Sequence, residues 1–267
     1  MAQLRIFSYL PNPRIWKATI TGRLCGVDVE VRGAPAPALA DWFWDFEAQS
    51  KALVDPATLA AAERIGRVGF KGDKLYKSDA FLKAHPFGTV PAAFSPDGQV
   101  GIFESNSIMR AVARLAANDA GLYGRDAYGA SRIDSFLDAS LVFARDTQIY
   151  LLALAGSALT AEIRSRVADA FAAHLGGIEQ ALAGDPFVAG RELSLADICF
   201  VAELGLLHNE LVRRAPLEAL GAKPLLADLA ETHPRAAAHF ETLRIHPAFA
   251  PDVGPYLEKL LAKASGA

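Results

Sequence analysis

Alternation of apolar and polar positions organises the first third of the chain. Leu4-Arg5-Ile6-Phe7-Ser8-Tyr9 reads as a strand, and Val27-Asp28-Val29-Glu30-Val31 alternates strictly and reads as a second. Between them, Leu10-Pro11-Asn12-Pro13 is a turn. A helix should start near Pro13, a residue suited to a first helical position, and run to Gly26. This is a βαβ opening. Ala92-Ala93-Phe94 and Val100 to Phe103 are short strand-like runs, and Ile108, Val112 and Leu115 then recur at helical spacing. After Asp126 alternation gives way to Ala- and Leu-rich helical periodicity: Ser131 to Leu154, Thr160 to Leu182, Ser194 to His208, and helices beyond Pro234 and Pro255. The pattern predicts two domains, an α/β domain over 1–117 and an all-α domain over 124–267, with Asn118-Asp119-Ala120-Gly121 in the linker.

The stretch of about 33–75 fits neither pattern. Asp41-Trp42-Phe43-Trp44-Asp45-Phe46 concentrates aromatics, and Asp55-Pro56-Ala57 opens a short helix-prone run to Arg64. A structureless loop of this length is unusual in a compact domain, so local structure packed over the neighbouring site is expected. Its aromatics either fasten the insertion to the core or wall a second-substrate pocket.

Of 267 residues, 52% are hydrophobic and 21% charged, enough for two domains that each bury a core. A net charge of −3, with no face-forming run of Lys and Arg, speaks against nucleic acid as a partner. No apolar run approaches the length of a membrane span, and Met-Ala-Gln-Leu-Arg-Ile-Phe enters a strand directly rather than a signal peptide. Cys25 and Cys199, the two cysteines, belong to no disulfide or metal pattern. A cytoplasmic protein without a bound metal is the expectation.

Two segments carry chemistry. His85-Pro86-Phe87-Gly88-Thr89-Val90-Pro91 places a proline at a strand start, where a cis Val90–Pro91 bond would expose the Val90 backbone to an extended peptide. Phe103-Glu104-Ser105-Asn106-Ser107-Ile108 puts an acid and a hydroxyl where a strand becomes a helix, a setting suited to a carboxylate. One end grips peptide backbone and the other an anion.

These two segments resemble the peptide-binding half of the glutathione transferase superfamily, whose N-terminal domain is thioredoxin-like and whose C-terminal domain is all-helical. Lys77-Ser78-Asp79-Ala80-Phe81-Leu82 lies at the family's spacing for its lysine, and Phe187-Val188-Ala189-Gly190 with Ser194-Leu195-Ala196-Asp197-Ile198 is similar to its helix-capping segment. The likeness covers most of the chain apart from the insertion. It is nearest to the transferase-like domain of the gamma subunit of the elongation factor-one complex and to bacterial relatives. The resemblance implies glutathione as cosubstrate, with Val90 pairing the cysteinyl backbone, Pro91 holding the turn, Glu104 and Ser105 receiving the γ-glutamyl amine and carboxylate, Lys77 meeting the glycyl carboxylate, and Thr89 beside them. It implies a homodimer, and an acceptor pocket on the first long helix of the second domain, with Phe143, Gln148 and Tyr150 as wall residues and Arg145 at the rim.

Such chemistry needs a thiolate at neutral pH. Lowering a thiol pKa by about two units takes about 2.7 kcal/mol, within reach of one donor to the charged sulfur. The donor belongs at the start of the first helix, where this chain reads Ser8-Tyr9-Leu10-Pro11-Asn12-Pro13-Arg14. The family's serine position falls on Asn12 or Pro13, and proline cannot donate. Asn12 is therefore the first candidate, Tyr9 the second and Arg14 the third. The leading expectation is a transferase in which the thiolate attacks an electrophilic carbon of a small apolar, aromatic substrate, with aryl ether cleavage as a subclass. The alternative is a non-catalytic scaffold of the same fold, which the missing serine favours. Disulfide or dehalogenation chemistry needs a cysteine at the helix start, and Cys25 sits at the far end. Ser194 and Asp197 should cap a buried helix.

Overall fold

The computed structural model describes residues 2–67, 69–117 and 120–264. Its chain divides into two compact units, residues 1–118 and 119–267. Asn118 and Asp119, assigned to the linker from the sequence, lie outside the described residues.

In the first unit, β1 (Leu4–Tyr9), α1 (Pro13–Cys25) and β2 (Val29–Ala34) form the expected βαβ unit, with β1 and β2 parallel. Gly26 ends α1 in the left-handed conformation that glycine adopts without steric cost. The insertion has the local structure expected of so long a stretch, in a form that its sequence did not predict. It builds a second sheet from β3 (Trp42–Trp44), β4 (Gln49–Ser50), β5 (Glu63–Ile65) and β6 (Lys74–Lys77), in the order β4-β3-β6-β5, with the expected helix α2 (Pro56–Ala62) between β4 and β5. Helix α3 (Asp79–Ala84), capped by Ser78, leads into β7 (Ala92–Phe94), β8 (Gly101–Phe103) and α4 (Ser105–Leu115). The first sheet runs β2-β1-β7-β8, with β7 antiparallel to both neighbours.

The period of two along β1 divides its side chains between two cores. Leu4 and Ile6 join Ile15, Ala18, Ala93, Ile108 and Val112 beneath the packed pair α1 and α4. Phe7 faces the other way, into a cluster with Leu39, Trp44, Phe70, Phe81 and Phe94 supplied largely by the insertion. Trp44 is the hub of that cluster, edge-on to Phe7 at 5.3 Å, to Phe70 at 5.6 Å and to Phe81 at 6.0 Å, and its indole N–H donates to Leu39 O. A buried aromatic removes about 150–250 Å² from water, on the order of 4–6 kcal/mol before entropic losses. Trp44 therefore fastens the insertion to the sheet, with Trp42 stacked half-buried on Phe7, while Phe43, also buried, points to the other face of β3.

The second unit is helical: α5 (Ala127–Ala155), α6 (Ala161–Ala181), α7 (Leu195–Leu207), α8 (Ala215–Ala219), α9 (Leu229–Thr232), α10 (Pro234–Arg244) and α11 (Ala250–Ala264). Every residue of α7 is buried, as an apolar helix at the centre of a bundle must be. The Ser194 and Asp197 side chains form the expected reciprocal capping box at its start. Helix α11 begins five residues before Pro255, not after it; Pro255 lies inside the helix. No helix among the described residues is long and apolar enough to cross a membrane.

Candidate functional site

The pairing Ala92↔Phe103 brings the residues just before β7 and just after β8 to the same end of the first sheet. Val90-Pro91, joined by a cis peptide bond, stands there beside Glu104-Ser105. Glu104 has φ of 64°, a conformation costing a non-glycine residue about 1–3 kcal/mol. It is exposed and is the cap residue of α4, yet makes no side-chain cap bond. Its backbone instead turns the chain so that Ser105 opens the helix, half-buried, at the positive end of the helix dipole.

Behind Ser105 stands a residue that the sequence reading missed. Lys17 of α1 is 1% exposed, and its Nζ donates to Asn106 Oδ1 at 2.7 Å and to Ser105 Oγ at 3.2 Å. The signal in the sequence was partial. Buried Ile15, Trp16, Ala18 and Ile20 flank it, and Pro13 and Thr21, one turn away on either side, are buried too, while Arg14, Thr19 and Arg23 lie on the part of α1 that is not.

The loop before Val90 is held from within. His85 stacks on Phe103 with centroids 4.8 Å apart, and its Nε2 lies 3.3 Å from Thr89 N and 3.2 Å from Thr89 Oγ1. Burial, together with the nearby Lys77 charge, pushes the His85 imidazole below its usual range. Thr89, expected among the ligand contacts, is exposed and uses its N–H and hydroxyl to close this turn on His85. Lys77, expected beside it, bonds within the same turn. Its Nζ is turned inward, donating to Gly88 O at 2.6 Å and lying 4.7 Å from the Trp44 ring centroid. Burial first, then repulsion from Arg67 and Arg64, lowers its ammonium to about 8. In this structure Lys77 buttresses the turn through Gly88 O.

At the start of α1, Asn12 is the helix cap and is 2% exposed. Its Oδ1 accepts from Arg14 N at 3.0 Å, and its Nδ2 donates to the hydroxyl of buried Ser8 at 3.1 Å. Ile15 N bonds Asn12 O and Pro13 has no N–H, so this first turn is satisfied internally. The amide expected to face a thiolate faces the interior. Tyr9 and Arg14, both half-buried, occupy the same end of the unit.

In the second unit the expected wall residues Phe143 and Tyr150 are core. Phe143 is stacked on His174 at 4.8 Å. The fully buried Tyr150 donates its hydroxyl to Glu210 Oε2 at 2.8 Å, and Glu210 also accepts from Leu225 N and Leu226 N. Burial raises both the Tyr150 phenol and the Glu210 carboxyl. Gln148 is half-buried and Arg145 is exposed on the same helix.

No protein-family model matches the chain. It is 32% identical over 130 residues to "Elongation factor 1-gamma 1" of Oryza sativa subsp. japonica, a match covering 48% of this chain and 30% of that protein. The chain thus spans about a third of the length of the curated relatives it matches. Among solved structures, an epsilon-class glutathione S-transferase from the housefly Musca domestica superposes with a TM-score of 0.64 at 16% identity, over 98% of this chain and 97% of that one. A glutathione S-transferase from Methylobacillus flagellatus with glutathione bound superposes with a TM-score of 0.61 at 15% identity, over 94% and 98%. With its sheet-based first unit and helical second unit, the chain has the glutathione transferase fold, and in sequence it is similar to the elongation factor 1-gamma proteins over about half its length.

Proposed function

We propose that the first unit binds glutathione and that the protein is a transferase in which the bound thiolate attacks a small apolar, aromatic electrophile. One observation carries the reading: Val90-Pro91 and Glu104-Ser105 converge at one sheet end, with Glu104 at positive φ leading into the start of α4. In this reading Val90 pairs the cysteinyl backbone, Glu104 takes the γ-glutamyl ammonium, and Ser105 with the α4 N-terminus takes the carboxylate. The glutathione held by a similar fold supports the ligand class. Thiol activation falls to Tyr9 or Arg14, because Asn12 is committed as a cap.

Calorimetry with glutathione tests the binding half. Glu104→Ala and Ser105→Ala should each weaken binding by about 1–2 kcal/mol, less than for a buried pair because Glu104 is exposed. Unchanged affinity in both variants removes the assignment. Turnover of an aryl electrophile, compared in Tyr9→Phe and Arg14→Ala, tests the chemical half.

A second reading, a non-catalytic assembly module in a homodimer or a larger complex, is favoured by the similarity to elongation factor 1-gamma and by the inward-turned Asn12. Glutathione binding without turnover of any electrophile would select it.

A further inference from the structure

The ammonium of Lys17 is an unusual thing to bury behind a helix start. It lies between α1 and α4, reaching Asn106 Oδ1 and Ser105 Oγ. Moving a charge out of water is costly, and a methionine would occupy similar space without that cost. What the ammonium supplies that methionine cannot is polarity with a fixed sign. Lysine has three donors and no acceptor, so in this contact the Ser105 oxygen must accept. With its lone pair engaged from behind, the Ser105 hydroxyl has its proton left to donate elsewhere.

We propose that Lys17 is a positioning residue for the carboxylate end of the peptide site: it fixes Ser105 as a donor and places a positive charge behind it, selecting ligands with an α-carboxylate. This rests on the glutathione reading given above and adds to it a source of specificity. The α4 dipole and the Lys17 charge act in the same direction, and both favour an anion over a neutral amide at that spot. Glu104 serves the neighbouring ammonium, so Lys17 and Glu104 together would read the zwitterionic end of a γ-glutamyl peptide as two opposite charges side by side.

The test compares glutathione with its analogue lacking the glutamyl α-carboxylate, 4-aminobutyryl-cysteinyl-glycine, by calorimetry on the full chain. Wild-type protein should prefer glutathione by about tenfold or more. Lys17→Met should lose most of that preference by weakening glutathione while leaving the analogue within about twofold, and Lys17→Arg should retain part of it. In a Ser105→Ala background, Lys17→Met should change the preference much less, because the two residues act as one unit. Equal weakening of both ligands by Lys17→Met, or an unchanged preference, overturns the role assigned to Lys17 while leaving the glutathione reading intact. Wild-type protein that binds neither ligand overturns the reading itself and this inference with it. If Lys17→Met does not fold, Lys17→Gln, which keeps donors but removes the charge, carries the same comparison: an unchanged preference there overturns the charge-based role.

Discussion

Asn12 Nδ2 donates to Ser8 Oγ at 3.1 Å while its Oδ1 accepts from Arg14 N, so one side chain ties the end of β1 to the start of α1. The position that the resemblance marked for thiol activation carries a helix cap and a strand-to-helix tie in this structure. The distinction has measurable consequences, since a cap and a thiolate donor respond differently to truncation.

Asn12→Ala should cost about 0.5–2 kcal/mol of stability, the usual loss of an N-cap, measured by urea denaturation. The pKa of bound glutathione, followed by thiolate absorbance, should stay at the wild-type value. A rise of about one unit or more in that pKa would restore Asn12 as the thiolate donor.

Trp44→Ala should be among the most damaging substitutions in the first unit. It removes the hub that Phe7, Phe70 and Phe81 pack against and leaves the second sheet without its anchor. A loss of about 3–5 kcal/mol is expected from the lost burial and the cavity together. The loss is read as a lower midpoint in urea denaturation.

The elements legible in the sequence are those with a period. The alternation in β1 and the long helical runs of the second unit matched the structure to within a few residues, and so did the boundaries that put Val90-Pro91 just before β7 and Glu104-Ser105 at the start of α4. The second sheet was not legible, because its strands are two to four residues long, too short to show a period, and Trp42-Phe43-Trp44 is apolar throughout. Lys17 was passed over because a single helical lysine ordinarily faces water, and only the apolar residues around it mark this one as internal. Lys77 and Tyr150 were placed by analogy with the family. The structure turns both inward, Lys77 onto Gly88 O and Tyr150 onto Glu210.

Lys77 also makes stability depend on pH with a definite sign. Its ammonium is lowered to about 8, against 10.5 as the ordinary value. Below about 8 both folded and unfolded chains bind the proton and the burial penalty is fully felt. Between about 8 and 10.5 the unfolded chain binds more protons, so this group makes the protein more stable as pH rises. Lys77→Met should abolish that increment, seen as a smaller rise in urea midpoint between pH 7.5 and 10.5 than in wild type. An identical slope in the two proteins would mean that the Lys77 ammonium is not desolvated at Gly88 O.

Asp197 offers the sharpest contrast between a cap and a junction. Its Oδ2 accepts from Ser194 N and Ser194 Oγ, and its Oδ1 from Val188 N and His239 Nε2, all at 2.8–2.9 Å, with the carboxylate fully buried. As a member of a capping box alone it would be worth about 1–2 kcal/mol. The structure joins three segments at this carboxylate: the turn at Val188, the start of α7, and α10 through His239. Removing it leaves buried donors unpaired on all three, so Asp197→Ala should cost about 3–5 kcal/mol, clearly more than Ser194→Ala at about 1–2 kcal/mol. His239→Ala removes one of the four donors and should fall between them. Urea denaturation of the three variants gives the order directly. If Asp197→Ala and Ser194→Ala lose the same amount, the carboxylate is acting as a helix cap alone and the bonds to Val188 and His239 add nothing to stability.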